Sequence, residues 1–265
     1  MATYLDSILE LHRARAGDDD RDPDWLFEQA QGAAPPRDFR GAIVDSEGLA
    51  VIAEVKRRSP SKGALAPDLD PAKLASDYEA GGATCLSVLT DFDHFGGSAA
   101  DLSAARDAVD LPVLRKDFTV SVLDVCDARL MGADAVLLIA AALDDDELTQ
   151  FARVASDLGM AALVEVHDEA EVERALAIDA DLIGVNQRDL VSFEVDTDRA
   201  VRVAPRIPPH VVRVAESGVT GPDDARALAD AGYDAVLVGE SLVTAGDPTA
   251  AVAALRALPA RALEG

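Results

Sequence analysis

Val51-Ile52-Ala53-Glu54-Val55-Lys56-Arg57-Arg58-Ser59-Pro60-Ser61-Lys62-Gly63 begins as an apolar run and ends as a polar, turn-rich loop. The run reads as a fully buried strand. Glu54 and Lys56 stand two residues apart, and a strand repeats every two residues, so both side chains leave the same face. An acid and a base at the end of an otherwise apolar strand are costly to bury unless they have partners and a task. A surface ion pair at a strand end is the plain alternative for this segment alone. The rest of the chain argues against it by repeating the design.

From position 49 onward, strand and helix alternate. Strands are predicted at 50–56, 83–89, 112–116, 134–139, 161–166, 181–186, 210–215 and 234–239. Helices are predicted between them near 71–81, 99–109, 121–131, 144–158, 168–177, 196–204 and 222–231, with a last one at 248–258. Asp70-Pro71 and Gly221-Pro222 start helices with proline at the first turn. Gly81-Gly82, Gly132, Gly159 and Gly232 end helices just before strands. Three endings look alike: Gly-Ala-Asp-Ala-Val from 132, Gly-Tyr-Asp-Ala-Val from 232 and Asp-Ala-Asp-Leu-Ile from 179. Eight strand–helix units with strands buried on both faces indicate an α/β fold, a (β/α)8 barrel of the TIM type. A doubly wound open sheet would need a Gly-rich turn after the first strand, where the chain has Arg57-Arg58-Ser59-Pro60 instead.

Residues 1–48 differ. Thr3 to Arg15 reads as an amphipathic helix with Leu5, Ile8, Leu9 and His12 on one side, broken at Gly17-Asp18-Asp19-Asp20. Trp25-Leu26-Phe27 opens a second apolar patch, Pro35-Pro36 breaks it, and Phe39 to Val44 fits a short helix. The segment is too small for a domain of its own. One domain over 1–265 is expected, with an N-terminal helical extension at 1–48 and the barrel at 49–258. His12 reads as a half-exposed helix residue rather than a ligand.

The chain has 265 residues and an apolar fraction of 49 %, ordinary for one barrel of this size. No apolar run reaches membrane-spanning length and the N-terminus lacks a signal-peptide pattern, so a soluble cytoplasmic protein with no membrane partner is expected. Cys85 and Cys126 have no metal-ligand spacing and read as buried free thiols. There are 49 acidic and 24 basic residues, a formal net charge of −25, and such a balance repels nucleic acid. Only four of the basic residues are lysines: Lys56, Lys62, Lys73 and Lys116. An acidic, lysine-poor surface resembles proteins from a salt-rich, halophilic cytoplasm. Fold and activity are therefore expected to fall when salt drops from molar to about a tenth molar, as the Debye length grows from about 3 to about 10 Å. A melting temperature unchanged across that range rejects the expectation. A chain that sheds lysine still keeps Lys56 and Lys116 at strand ends.

In a barrel, chemistry sits at the C-terminal ends of the strands. Polar residues collect there: Glu54 and Lys56, Lys116, Glu165, Asn186, Glu216 and Glu240. Opposite charges gathered at one end hold one another ionised or shift a proton's affinity, as acid–base work requires. Ser217-Gly218 and Gly239-Glu240, after adjacent strands, let backbone N–H groups approach a ligand where such barrels commonly bind phosphate.

With these motifs assembled, the chain resembles the indole-3-glycerol-phosphate synthase family of tryptophan biosynthesis from about Asp38 to Val243. The carrying motifs are Ile52-Ala53-Glu54-Val55-Lys56-Arg57 with Ser59-Pro60-Ser61-Lys62-Gly63; Ser87-Val88-Leu89-Thr90-Asp91 with Phe95-Gly96-Gly97-Ser98; Pro112-Val113-Leu114-Arg115-Lys116-Asp117-Phe118; Gly132 to Ile139; Leu163-Val164-Glu165-Val166; Gly184 to Leu190; Glu216-Ser217-Gly218; and Leu237 to Leu242. The resemblance implies a carboxy-lyase acting on 1-(o-carboxyphenylamino)-1-deoxyribulose 5-phosphate. An aromatic ring carbon attacks the ribulose carbonyl, then carbon dioxide and water leave.

It also implies a phosphorylated small molecule as the partner, no cofactor and no metal, and a monomer or weak homo-oligomer. Lys116 matches the general acid that protonates the carbonyl. Lys56 matches the lysine that meets the substrate carboxylate and donates a later proton. Glu54 and Glu165 match the pair assigned to dehydration, with acid and base roles left open. Asn186 and Glu216 match residues that hold substrate and lysines in place. Phe95, Phe118 and Leu138 would wall the anthranilate ring, and Arg188 and Ser217 would assist binding. Ser59, Gly218, Gly239 and Glu240 would surround the phosphate, Glu240 with its backbone N–H alone.

Two departures stand out. Thr119 to Asp124 lacks the family's usual Tyr-Gln, and His94 replaces a commoner aromatic; both could alter loop closure or affinity. A sugar-phosphate isomerase on the same barrel would work with a Cys/Asp or Asp/Asp pair, and both cysteines lie away from strand ends. A non-catalytic phosphate-ligand barrel would be expected to lose Lys116 or Glu165.

Overall fold

Alternate residues of a strand face opposite sides, and here the two sides feed two separate apolar clusters. Ile52, Leu114, Leu137, Leu163, Val214 and Leu237 belong to one. Val51, Leu86, Val136, Val164, Val185 and Val236 belong to the other, packed under the helices. The computed structural model, which describes residues 4–256, assigns these residues to eight parallel strands. They are β1 (Ala50–Val55), β2 (Cys85–Leu89), β3 (Val113–Lys116), β4 (Ala135–Ile139), β5 (Ala161–Val166), β6 (Leu182–Asn186), β7 (Val212–Glu216) and β8 (Ala235–Val238). They close into a barrel in sequence order, with β8 beside β1. Closure removes both sheet edges, and the parity of the strands separates the interior filling from the layer under the helices.

The intervening helices fall where the punctuation places them, for example Pro71–Ala80, Asp145–Asp157 and Pro222–Asp230. The final helix is described as Pro248–Arg256; positions 257 and 258 of the predicted element lie outside the described residues. Two four-residue helices, Phe92–Phe95 and Glu240–Val243, and a small hairpin pairing Arg58–Ser59 with Gly63–Ala64 were not expected. Among the described residues, no helix is long and apolar enough to cross a membrane. Cys85 and Cys126 are buried free thiols.

The N-terminal segment closes both ends of the barrel. Helix α3 (Phe39–Val44) buries Phe39 and Ile43 against Ala50, Leu182, Val212 and Ala235, the first residues of their strands. Helix α1 (Tyr4–Asp18) runs through Gly17 and brings Leu5 and Ile8 into the same interior cluster as Phe118, Leu137 and Ile139, at the opposite end. His12 corrects the expectation of a half-exposed helix residue. Its side chain is 12 % exposed and its Nε2 lies 3.0 Å from Asp91 Oδ2, which fastens α1 to the loop after β2. Between them, helix α2 (Pro23–Gln31) is capped by the Asp22 carboxylate, which accepts from Asp24 N and Trp25 N.

The recurrent Gly-X-Asp endings have a structural cause. Asp134 accepts from the backbone N–H of Val113 at 2.8 Å and of Arg37 at 2.7 Å. Asp234 accepts in the same way from Arg213 N at 2.8 Å. Each carboxylate satisfies a buried donor at the start of the neighbouring strand. Gly132 and Gly232 precede them with φ of 92° and 90°, and Asp179 takes the corresponding left-handed place with φ of 56°.

Candidate active site

Strand register decides which side chains meet. Glu54 lies opposite Ser87, Lys116 opposite Leu89, Glu165 opposite Ile139, and Asn186 opposite Glu216, all on the last rungs of the barrel. Inward parity then aims Glu54, Lys56, Lys116, Glu165, Asn186 and Glu216 into one mouth, where all six line a single cavity. Glu54, Glu165 and Glu216 are 4 %, 1 % and 1 % exposed. Burial on this scale demands partners. Lys56 Nζ pairs with Glu54 Oε1. Lys116 Nζ lies 3.0 Å from Glu165 Oε2 and 3.3 Å from Glu216 Oε2. Asn186 Nδ2 donates to Glu165 Oε1 at 3.1 Å, while its own Oδ1 accepts Arg188 N at 3.0 Å, which fixes the amide's orientation. Two glycines leave room for this network. A Cβ at Gly184 would collide with the Glu216 carboxylate, and one at Gly239 with Glu54 and Lys56.

Three carboxylates against two ammoniums divide the protons unevenly. Burial works against the charge on Lys116, yet Glu165, Glu216 and Glu54 hold its proton affinity above the ordinary lysine range. From strand parity alone, burial and Lys56 favour the neutral amine while Glu54 and Glu165 oppose them; the structure adds Glu216 and tips the balance to the ammonium. Burial also pushes Glu165 toward protonation, but Lys116, His167 and Asn186 hold it below the usual carboxylate range. Burial raises Glu216 to about 7, with Lys116 opposing and Glu165 and Glu54 adding to the rise.

That last shift has a sign for stability. A raised folded affinity means the fold holds a proton that the unfolded chain releases above about pH 4.3. The stability it contributes is complete below that pH and is lost as pH rises through about 7. Glu216→Gln, which removes the ionisation, is therefore expected to lie within about 1 kcal/mol of the native chain at pH 5. At pH 8 it should be more stable, by about 4 kcal/mol at most. Melting temperatures across pH measure this; a gap that does not change with pH contradicts it.

The cavity holds about 550 Å³. Phe95 and Phe118 face it with ring centroids 6.4 Å apart. Leu138 does not join them. It belongs to the cluster under the helices, while Leu137 and Ile139 line the cavity. The physical reason is parity: Lys116 and Glu165 fix which residues face inward, and Leu138 falls on the other phase. Ser59, Arg188, Ser217, Gly218, Gly239 and Glu240 all line the mouth. Glu240 turns its carboxylate toward Lys62 at 3.7 Å. Ser217 has φ of 66° and Gly218 of 77°; a non-glycine residue held there stores strain on the order of 1–3 kcal/mol.

Sequence reasoning missed three parts of this region. Tyr4, Leu5 and Ile8 of α1 roof the cavity, and the apolar face of that helix was the available signal. The His12–Asp91 link joins positions 79 apart and had no local signal. His167 stands behind Glu165, with Nε2 3.5 Å from Glu165 Oε1. Its spacing of two from a strand-end glutamate matches the Glu54–Lys56 pattern and could have found it.

A family model described as indole-3-glycerol phosphate synthase matches residues 5–255. Among curated proteins, the chain is 56 % identical over 232 residues to an indole-3-glycerol phosphate synthase of Streptomyces griseus subsp. griseus, covering 88 % of this chain and 86 % of that one. It is 54 % identical over 256 residues to one of Mycolicibacterium vanbaalenii, covering 96 % and 94 %. Among solved structures, thiamine phosphate pyrophosphorylase from Pyrococcus furiosus aligns with TM-score 0.61 and 18 % identity over 80 % of this chain and 95 % of that one. A 3-hexulose-6-phosphate synthase aligns with TM-score 0.62 and 18 % identity over 79 % and 99 %. At that identity the structural likeness speaks to the fold alone.

Proposed function

The chain belongs to the indole-3-glycerol phosphate synthase family, and from that premise we propose how its barrel mouth performs the reaction. The activity is that of a carboxy-lyase in tryptophan biosynthesis, and the substrate is a phosphorylated small molecule, 1-(o-carboxyphenylamino)-1-deoxyribulose 5-phosphate. Lys116 is the general acid. As the ring carbon attacks the ribulose carbonyl, the oxygen becomes an alkoxide, whose conjugate alcohol is about as weak an acid as water and far weaker than an ammonium. Even a lysine held above its ordinary range gives up a proton to that oxygen. The surrounding glutamates thus keep the acid loaded until the carbonyl arrives. Lys56 pairs with the substrate carboxylate, which leaves as carbon dioxide once the ring has closed.

Glu165 and Glu54 serve the loss of water that restores aromaticity. Asn186 and Glu216 hold Glu165 and Lys116 in register. Phe95 and Phe118, with Leu137 and Ile139 in place of Leu138, wall the anthranilate ring. Arg188 and Ser217 assist binding, and Ser59 with the backbone at Gly218, Gly239 and Glu240 takes the phosphate.

The observation that carries these roles is the placement of Lys116 Nζ within 3.0 Å of Glu165 and 3.3 Å of Glu216 at the cavity floor. The test is to add this substrate to the purified chain and follow indole fluorescence together with carbon dioxide release. Both signals are expected from the native chain. Binding without either signal would make the mouth a ligand site only.

A further inference from the structure

His167 follows the last residue of β5, two positions after Glu165, and leaves on the same side. Its ring is pinned from below. Nδ1 lies 3.1 Å from Glu171 Oε2, and the same oxygen accepts the His167 backbone N–H at 2.7 Å. Glu171 in turn sits in the first turn of the helix Glu169–Ala177, where its N–H donates to the Asp168 cap at 2.9 Å. The other ring nitrogen, Nε2, is buried without a hydrogen-bond partner and points at Glu165 Oε1 from 3.5 Å. His167 does not line the cavity, so it acts on Glu165 from behind. The Glu165 carboxylate is thereby held on three sides, by Lys116 at Oε2 and by Asn186 and His167 at Oε1.

With Nδ1–H given to Glu171, the state of Nε2 decides what Glu165 feels. A bare nitrogen would set a lone pair against a carboxylate oxygen. A protonated one sets an N–H there. The charged groups facing the ring are Glu165 from β5, Glu171 from the helix behind it, and Arg199 from the helix Arg199–Val203. Burial and Arg199 disfavour the ring's charge, but the bond to Glu171 and the two carboxylates prevail and raise its proton affinity.

We propose that His167 is a positioning residue for the dehydration step: as an imidazolium held by Glu171, it presents Nε2–H to Glu165 Oε1 and sets both the orientation and the proton affinity of that carboxylate. The proposal rests on Glu165 acting in dehydration. Without the imidazolium, Glu165 binds its proton more tightly, so the acid limb of the rate profile moves to higher pH.

The test is the single-turnover rate of indole formation against pH, on the full chain. His167→Asn keeps an amide for Glu171 but has no atom that reaches Glu165. It is expected to be about tenfold slower on the acid limb, the equivalent of one pKa unit, and slower by a smaller factor near neutrality, where only the orientation of Glu165 is lost. Its acid limb should sit about one unit higher, with KM within about twofold. His167→Gln, whose amide N–H falls near the Nε2 position, should recover part of that rate. A folded Asn variant with native rate and limb overturns the proposal. So does a loss equal at every pH that Gln does not relieve, because that pattern marks a purely structural role. If the Asn variant does not fold, Glu171→Gln keeps the ring but weakens its charge. It should move the limb in the same direction by less, and an unmoved limb overturns the proposal. Glu165→Gln run alongside separates the two levels. Near-native turnover there removes the role given to Glu165 itself, whereas an inactive Glu165→Gln beside an unaffected His167→Asn removes only the role given to His167.

Discussion

Lys116→Arg is expected to lose turnover by at least about a hundredfold, the usual scale for one general acid, with KM changed far less. Arginine keeps the positive charge that Glu165 and Glu216 require, so the buried carboxylates are not left unpaired. It cannot release a proton at any working pH, because its pKa exceeds about 12. The variant therefore separates charge from acidity. A loss confined to turnover marks a group that acts in the transition state. Retained turnover with weakened binding would make Lys116 an electrostatic anchor, and the proton would have to come from Lys56 or a glutamate.

Glu165→Gln should also lower turnover by roughly a hundredfold or more, for a different reason. The amide keeps the size of the side chain and can still accept from Asn186, but it can neither donate nor take up the catalytic proton. Lys116 retains Glu216 as a partner at 3.3 Å. The melting temperature should accordingly change little. Near-native turnover would mean that Glu54 or another residue carries the dehydration.

The barrel was legible because its signals are local. Each strand is a short buried run and each helix carries its own proline, cap or terminal glycine, so no long-range contact was needed to place them. The inward set at the mouth was legible for the same reason: a charged residue in an apolar strand declares its own phase, as Glu54, Lys56 and Lys116 do. Leu138 was misplaced because Ala135–Ile139 is apolar at every position. Such a run carries no phase of its own, and only its register with Glu165 supplies one.

The proton affinity of Lys116 was not legible because one of its partners, Glu216, is distant in sequence; only closure of the barrel brings the Glu216 carboxylate of β7 to 3.3 Å from Lys116 Nζ of β3. The same limit hid His12, whose partner Asp91 belongs to a distant loop. It also hid the helices Phe92–Phe95 and Glu240–Val243, each four residues long and too short to show a period.

The central claim is a division of labour: Lys116 for ring closure and Glu165 for the later loss of water. A single turnover with 1-(o-carboxyphenylamino)-1-deoxyribulose 5-phosphate, following carbon dioxide release and indole fluorescence on separate channels, tests it most directly. In Lys116→Arg both signals should slow together, because ring closure precedes both. In Glu165→Gln carbon dioxide should leave well ahead of fluorescence, as the decarboxylated ring waits for dehydration. Carbon dioxide and fluorescence slowed equally in Glu165→Gln, or separated in Lys116→Arg, would contradict the assignment.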